Sequence, residues 1–501
     1  MRRICASLLS LCLIAVSCAF PTPPATPPSP STTPPPAVDP FDTPWDDRSI
    51  FKDGLVPSAQ AGLNELNGGS VYHIDFNIAE SMVQVLGTEE VRYTNTEDAP
   101  LAEILLRLFP NILGGEMKIS NLLVDGVSVN PTYDLLNSLM IVPLLTPLQP
   151  GQSTILQMDF EVTVPQSVEM NFGVLAYTED VLTLAHAYPM IAVYDDEGWN
   201  AEIPPQEGDV TYADASFFIV RINAPGGLTL VTSGHRVSSD KAGQAQTLTV
   251  ASGPARDFYL AASPNYEEIS QIFEGITIRS YAPAFSKEGA QEVLDIASRA
   301  MEVYNGRYSP YPYTELDIVS TPTLALGIEY PGMIALTSWI YDVNDPSTVN
   351  ILEGTVAHEV GHQWFYNLVG DDQLDDPWLD EALTQFATLQ YYADVHGAQG
   401  EQGFSNELQS RWAGTGFAAI PIGMPVAGYR GDEYGAIVYG RGPLFFVALR
   451  TEMGTAAFDA FLKEYTQTLS WKIATPEILQ SLAEKNCTCE LDVIFNEWVY
   501  P

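Results

Sequence analysis

The sequence predicts a multidomain α+β protein, an N-terminal antiparallel β domain followed by an α-rich domain with a small sheet. Three observations lead there. From Val71 to about Ile278 apolar residues recur at every second position: Tyr72, Ile74, Phe76 and Ile78 alternate with His73, Asp75 and Asn77, the mark of strands with one buried face. After about Ala282 the period lengthens, and Ala290, Val293, Leu294, Ala297, Met301 and Tyr304 fall three and four apart, as on an amphipathic helix. Ahead of both, Phe20 to Pro40 is mostly Pro, Thr, Ser and Ala, which cannot build a core and predicts an extended tether. The expected divisions are an export signal at 1–18, a tether at 19–44, a β domain at 45–280 and the α-rich domain at 281–501.

Taken in order, Arg2 and Arg3 precede an apolar run from Ile4 to Val16 that is short for a membrane span. The run ends at Ala15-Val16-Ser17-Cys18, which resembles a bacterial lipoprotein cleavage site with Cys18 as the lipid-bearing residue. This predicts an exported cell-envelope protein, facing outside and touching the membrane only through its anchor. Plain secretion is the alternative, because Ala15 stands where Leu is usual. Cys5 and Cys12 would leave with the signal. Cys487 and Cys489 read as a local disulfide, a minor metal site or two thiols.

In the β domain, Asp125-Gly126 between Leu122-Leu123-Val124 and Val127-Ser128-Val129 is a hairpin signal. Phe160, Val162 and Val164 alternate before Pro165, and Phe217 to Ile222 is a strand closed by Pro225-Gly226-Gly227. His186 and His235, each alone among strands, read as structural. Beyond the first helix come a strand at Leu316 to Ser320 and helices through Tyr434 to Glu452, Ala457 to Tyr465 and Pro476 to Glu484.

The net charge is −41, from 22 basic against 63 acidic residues. Such a surface repels nucleic acid and anionic headgroups, which excludes a nucleic-acid partner and mildly favours cationic ligands.

The sharpest signal is Thr355-Val356-Ala357-His358-Glu359-Val360-Gly361-His362-Gln363-Trp364. On a helix His358 and His362 stand one turn apart on one face and reach one metal ion, with Glu359 turned toward water at that ion. The third ligand is Glu381, in Asp375-Asp376-Pro377-Trp378-Leu379-Asp380-Glu381, which reads as a second helix start capped by Asp376 with Pro377 in its first turn. Two histidines and a glutamate with one exchangeable position form a catalytic zinc set. Two core histidines are the bland alternative. It weakens because only six histidines exist and two hold this spacing on an apolar helix.

These residues and two further stretches resemble the aminopeptidase N and leukotriene-hydrolase family of gluzincin zinc metallopeptidases, from about residue 65 onward. Ala325-Leu326-Gly327-Ile328-Glu329-Tyr330-Pro331-Gly332 resembles its G-x-M-E-N strand, and Val438-Tyr439-Gly440-Arg441-Gly442 its V-Y-x-K-G helix. The resemblance implies a saddle-like β domain and a thermolysin-like, α-rich zinc-peptidase domain holding one zinc ion per chain. It implies Glu359 as general base, Tyr439 as donor to the oxyanion, and Glu329, with Gly327 and Ile328, as the strand that holds the substrate's α-amine. Ile328 replaces Met, and Tyr330-Pro331 replaces the Asn-aromatic pair. Because the chain stops at Phe495-Asn496-Glu497-Trp498-Val499-Tyr500-Pro501, a short form without the family's C-terminal helical domain, and a more open site, is expected.

The expected activity is that of a monomeric zinc aminopeptidase acting on peptides with a free N-terminus. An endopeptidase with an open cleft, and a catalytically inactive peptide-binding lipoprotein, are the alternatives.

Overall fold

Period-two alternation in the first half builds a large twisted sheet. The computed structural model describes residues 39–500, so the expected signal, Cys18 and most of the tether lie outside the described residues. Eight strands run in the spatial order His235–Ala242, Ala245–Ala255, Ser216–Pro225, Val71–Ile78, Gln84–Thr94, Ser153–Thr163, Glu116–Val124 and Val127–Ser128. Neighbours are antiparallel except Val71–Ile78 and Ser216–Pro225, which pair in parallel, Ile74 opposite Val220. The hairpin at Asp125-Gly126 forms as expected, with Val124 paired to Val127 and positive φ at both turn residues. Two four-stranded sheets stack near it, and Ile74, Val85, Val91, Ile104, Leu106, Val162 and Val220 between them are fully buried. Each such side chain contributes about 1.5–3 kcal/mol.

The second half holds a five-stranded sheet in the order Tyr266–Phe273, Ile276–Pro283, Glu315–Thr321, Met333–Thr337 and Gly327–Tyr330. It thus begins ahead of residue 281. Helix Lys287–Arg307 makes the crossover that the parallel strands Ile276–Pro283 and Glu315–Thr321 require, and buries the whole expected stripe from Ala290 to Tyr304. Helices Pro346–Gly361, Leu383–Ala413, Gly442–Met453, Thr455–Thr468, Pro476–Cys487 and Asp492–Trp498 complete it. Among the described residues no helix is long and apolar enough to cross a membrane.

Two expectations need correction. The segment Tyr434 to Glu452 is not one regular helix, because a wide π turn at Ile437–Arg441 separates Glu433–Ala436 from Gly442–Met453. Asp376 does not cap the second helix start with its side chain. There too a π turn, Trp378–Ala382, opens the helix, and the backbone carbonyls of Asp376 and Pro377 accept from Leu379 and Glu381. Single π turns re-aim side chains without ending a helix, and these two carry Glu381 and Tyr439.

Cys487 and Cys489 form a disulfide. Arg256 joins three distant segments: its guanidinium donates to the carbonyls of Ala213 (3.0 Å), Tyr366 (2.5 Å) and Lys472 (2.8 Å). Beside it His186 contacts Asp257 (3.2 Å) and Thr211 (2.9 Å), and the Tyr366 hydroxyl donates to Asp257 (3.0 Å). His186 is therefore structural, as its isolation among strands suggests.

Candidate active site

Asp345 starts the helix Pro346–Gly361 by accepting from Ser347 N, with Pro346 in the first turn, where its missing N–H costs nothing. The Tyr304 hydroxyl donates to the Ala357 carbonyl (2.9 Å), which fixes the turn ahead of His358. The helix ends at Gly361, one residue earlier than the motif suggests, but His362 keeps helical dihedrals and donates its N–H to the His358 carbonyl (3.2 Å). A Cβ on Gly361 would lie 2.8 Å from Thr384 Cγ2. Glycine there lets the following helix approach, and the π turn just before that helix delivers Glu381 to the histidines.

His362 donates from Nδ1 to the Phe365 carbonyl (3.0 Å), which leaves Nε2 as its bare nitrogen. That nitrogen stands 3.0 Å from His358 Nε2 and 3.4 Å from Glu381 Oε2, and His358 Nε2 stands 3.1 Å from the same oxygen. Ligand atoms about 2.0–2.1 Å from a tetrahedral ion lie roughly 3.3 Å apart, so this triangle fits one zinc. Burial, helped by the facing His362, pushes His358 down to about 4, so it stays neutral and free to ligate. Burial would raise Glu381, yet the facing His362, with His358 beside it, holds it well below its ordinary value.

The surrounding acids complete the fit. Glu359 is buried with one carboxylate oxygen unpartnered, and burial and the Glu329 charge push it up. Burial works against a charged His362, but Glu329 and Glu381 outweigh it and favour positive charge there. Five carboxyls, those of Asp209, Glu329, Glu359, Asp380 and Glu381, crowd the two histidines. A divalent cation neutralises what the protein leaves uncompensated.

Gly327–Tyr330 is the edge strand of its sheet, and its side chains alternate. On one face Gly327 and Glu329 turn to the histidine helix. A Cβ on Gly327 would stand 2.4 Å from the Glu359 carboxyl, so only glycine allows that carboxylate under the strand. Glu329 is buried and faces Gln373, which bridges it (3.5 Å) to Asp380 (2.7 Å). On the other face Ile328 packs into an apolar cluster with Val319 and Tyr259. Its side chain is not brought to the site, and what it offers there is backbone. Tyr330 stacks on Tyr259 at 4.0 Å, which accounts for an aromatic at that position. Gln363 pins the strand to the helix by donating to the Tyr330 carbonyl (3.1 Å) and accepting from Gly332 N (3.0 Å).

Tyr439, half-buried on its π turn, donates its hydroxyl to Glu381 Oε1. Arg441 points away, its guanidinium held by the carbonyls of Ile420, Glu497 and Trp498. Sequence reasoning missed Asp209, which reaches in from the irregular stretch before Ser216 and hydrogen-bonds Glu381; burial and that neighbour push it up to about 8. It also missed Gln363 as a positioning residue and Gln373, although Gln363 lies beside the motif.

Residues 292–498 match the family profile described as Peptidase family M1 domain. Aminopeptidase M1-B of Oryza sativa subsp. japonica is 24% identical over 298 residues, 56% of this chain and 34% of that protein. Human Endoplasmic reticulum aminopeptidase 1 is 27% identical over 250 residues, 45% and 26% of the two chains. The chain thus spans about a quarter to a third of the length of the curated relatives it matches. In three dimensions the M1 zinc metallopeptidase from Deinococcus radiodurans superposes with a TM-score of 0.65 at 20% identity, covering 87% of this chain and 94% of that one. The histidine–histidine–glutamate centre falls within the stretch that these matches assign: residues 292–498 match the Peptidase family M1 domain, and the chain as a whole shares the fold of the M1 zinc metallopeptidase from Deinococcus radiodurans.

Proposed function

We propose that this protein is a zinc-dependent aminopeptidase that removes N-terminal residues from peptides. The observation that carries the reading is Glu329, a buried carboxylate on the edge strand, one strand repeat from the glycine that covers Glu359.

His358, His362 and Glu381 would hold the zinc, which when bound supplies Lewis-acid polarisation of the scissile carbonyl. Glu359, beneath Gly327, takes a proton from the attacking water and passes it to the leaving amine. The Tyr439 hydroxyl turns from Glu381 to the carbonyl oxygen as charge develops there, a contact that contributes about 2.7–4 kcal/mol in comparable sites. The edge strand offers unpaired backbone groups along which an extended peptide lies. Glu329 then receives the free ammonium, a charge-assisted contact that a blocked N-terminus cannot make.

The test compares kcat/KM for free-amine and N-acetylated versions of one peptide, in wild type and in Glu329→Ala. Wild type should favour the free amine strongly, and the variant should narrow the gap. Equal cleavage of both by wild type would assign the cleft to an endopeptidase instead.

Export with lipidation at Cys18 is proposed on the sequence alone, from Arg2, Arg3 and the Ala15-Val16-Ser17-Cys18 stretch. Cys18→Ser should move the protein out of the membrane fraction or leave its signal attached. A native protein found soluble and cleaved elsewhere refutes lipidation.

A further inference from the structure

We infer that Tyr366 and Asp257 position His362 for zinc: the β half of the molecule holds a strained backbone turn, and that turn aims the imidazole. This role rests on the zinc centre proposed above and is independent of the amine-holding role of Glu329.

The turn that follows the histidine helix bonds to His362 twice. The Phe365 carbonyl accepts from His362 Nδ1 (3.0 Å), and the Asn367 N–H donates to the His362 carbonyl (3.1 Å). These two groups belong to the planar peptide units on either side of the Tyr366 Cα, so the dihedrals of Tyr366 alone set the angle between them. Its φ is 107°. Among the described residues every other non-glycine residue with positive φ lies between 49° and 62°, in the ordinary left-handed well. A bulky side chain at 107° is a steric outlier, which persists only where its surroundings over-determine it. Relaxed to a negative φ, Tyr366 would turn one of the two peptide units away from His362.

What holds the strain comes largely from the β half, where Arg256 and Asp257 follow directly on strand Ala245–Ala255. Arg256 Nε donates to the Tyr366 carbonyl (2.5 Å), and the Tyr366 hydroxyl donates to Asp257 Oδ2 (3.0 Å). The Tyr366 N–H is taken by the Val369 carbonyl (2.9 Å). The tyrosine is thus fixed at both ends of its backbone and at the tip of its ring. Asp257 is fixed in turn, its Oδ2 standing 3.2 Å from His186 Nε2, which the Thr211 hydroxyl meets at 2.9 Å. Tyr366 and Asp257 are both buried, so water does not replace a partner that is lost. Contacts therefore run unbroken from Asp257 through Tyr366 and the Phe365 carbonyl to His362 Nδ1. The bond at Nδ1 decides which way the ring faces and which nitrogen is bare, and partners of this kind carry about 10–100-fold in metal affinity. Tyr366 and Asp257 act on the metal only through that bond, as positioning residues.

The experiment measures zinc affinity of the full-length protein by competition with a chromophoric chelator. It also records the visible spectrum of the cobalt(II)-exchanged protein, which reports the geometry of the ligand set. Tyr366→Phe keeps the ring and loses only the hydroxyl; it should weaken zinc binding at least about tenfold and alter the cobalt bands. Tyr366→Gly loses the ring, but glycine takes positive φ without strain, so it should hold zinc more tightly than Tyr366→Phe. A mere packing role for the tyrosine demands the reverse order. Asp257→Asn, still an acceptor, should stay near wild type, and Asp257→Ala should match Tyr366→Phe. Thermal melts establish which variants fold; should the glycine variant not fold, Tyr366→Phe and the Asp257 pair decide. Wild-type affinity and spectrum in Tyr366→Phe, a glycine variant weaker than the phenylalanine one, or equal losses in Asp257→Asn and Asp257→Ala overturn the clamp. Failure of the zinc reading looks different: wild type itself then holds no stoichiometric zinc, whereas a zinc-loaded wild type with an unaltered Tyr366→Phe sinks only the clamp.

Discussion

Glu89 and Glu359 are both buried glutamates, one in each half of the molecule, and both lack hydrogen-bond partners for at least one oxygen. They differ in what surrounds them. Glu89 lies mid-strand opposite Ile74 and Met158, close enough for its charge to be felt by Tyr72 and Tyr188, with neither carboxylate oxygen partnered. Burial alone pushes it well up. Glu359 shares its surroundings with two histidines and four further acids, beneath the edge strand Gly327–Tyr330. A buried, perturbed carboxyl therefore does not define a site. Convergence of lone pairs and access along an edge do.

The comparison breaks first at the metal set. His362→Ala should lose the metal, read by elemental analysis after dialysis, and with it all measurable turnover. Glu359→Gln should retain about one zinc per chain while turnover falls roughly 10²–10⁴-fold, because an amide cannot accept the proton. Stoichiometric zinc in the first variant, or near-normal rates in the second, would put the centre elsewhere.

The smallest effect lies at Glu89 and concerns stability. Its folded value is raised above the ordinary 4.5, so the folded chain keeps a proton that the unfolded chain releases. Stability from this group is full below that ordinary value and is lost as pH rises through the folded one. Glu89→Met removes the loss, so its advantage over wild type should grow from pH 5 to pH 8 and reach about 1–3 kcal/mol in urea unfolding. Activity should be untouched. A variant no more stable than wild type at either pH would mean that Glu89 has a partner in solution.

Much of the centre was legible because its signals are local. His358, Glu359 and His362 sit within one helical turn, and the Pro377-Trp378-Leu379-Asp380-Glu381 stretch starts the next helix. The helix stripe from Ala290 to Tyr304 and the Asp125-Gly126 hairpin were equally local and equally readable. What escaped is set by long-range packing. The parallel pairing of residues 71–78 with 216–225 leaves no trace in a period of two. Asp209 lies in a stretch without periodicity, and only the folded chain brings it to Glu381. The π turns escaped because a single extra residue in a turn leaves the apolar pattern almost unchanged.

The three carbonyls gathered by Arg256 also bear on how the protein is made. Ala213 belongs to the β half, Tyr366 follows the zinc motif, and Lys472 lies 216 positions after the arginine itself. A chain emerging from the ribosome has the arginine long before it has the last of its acceptors. Until residue 472 is free, the turn behind His362 lacks its full anchorage. Release of residue 472 is thus the event that makes the joint behind the histidine helix complete, whatever the order in which the two halves collapse.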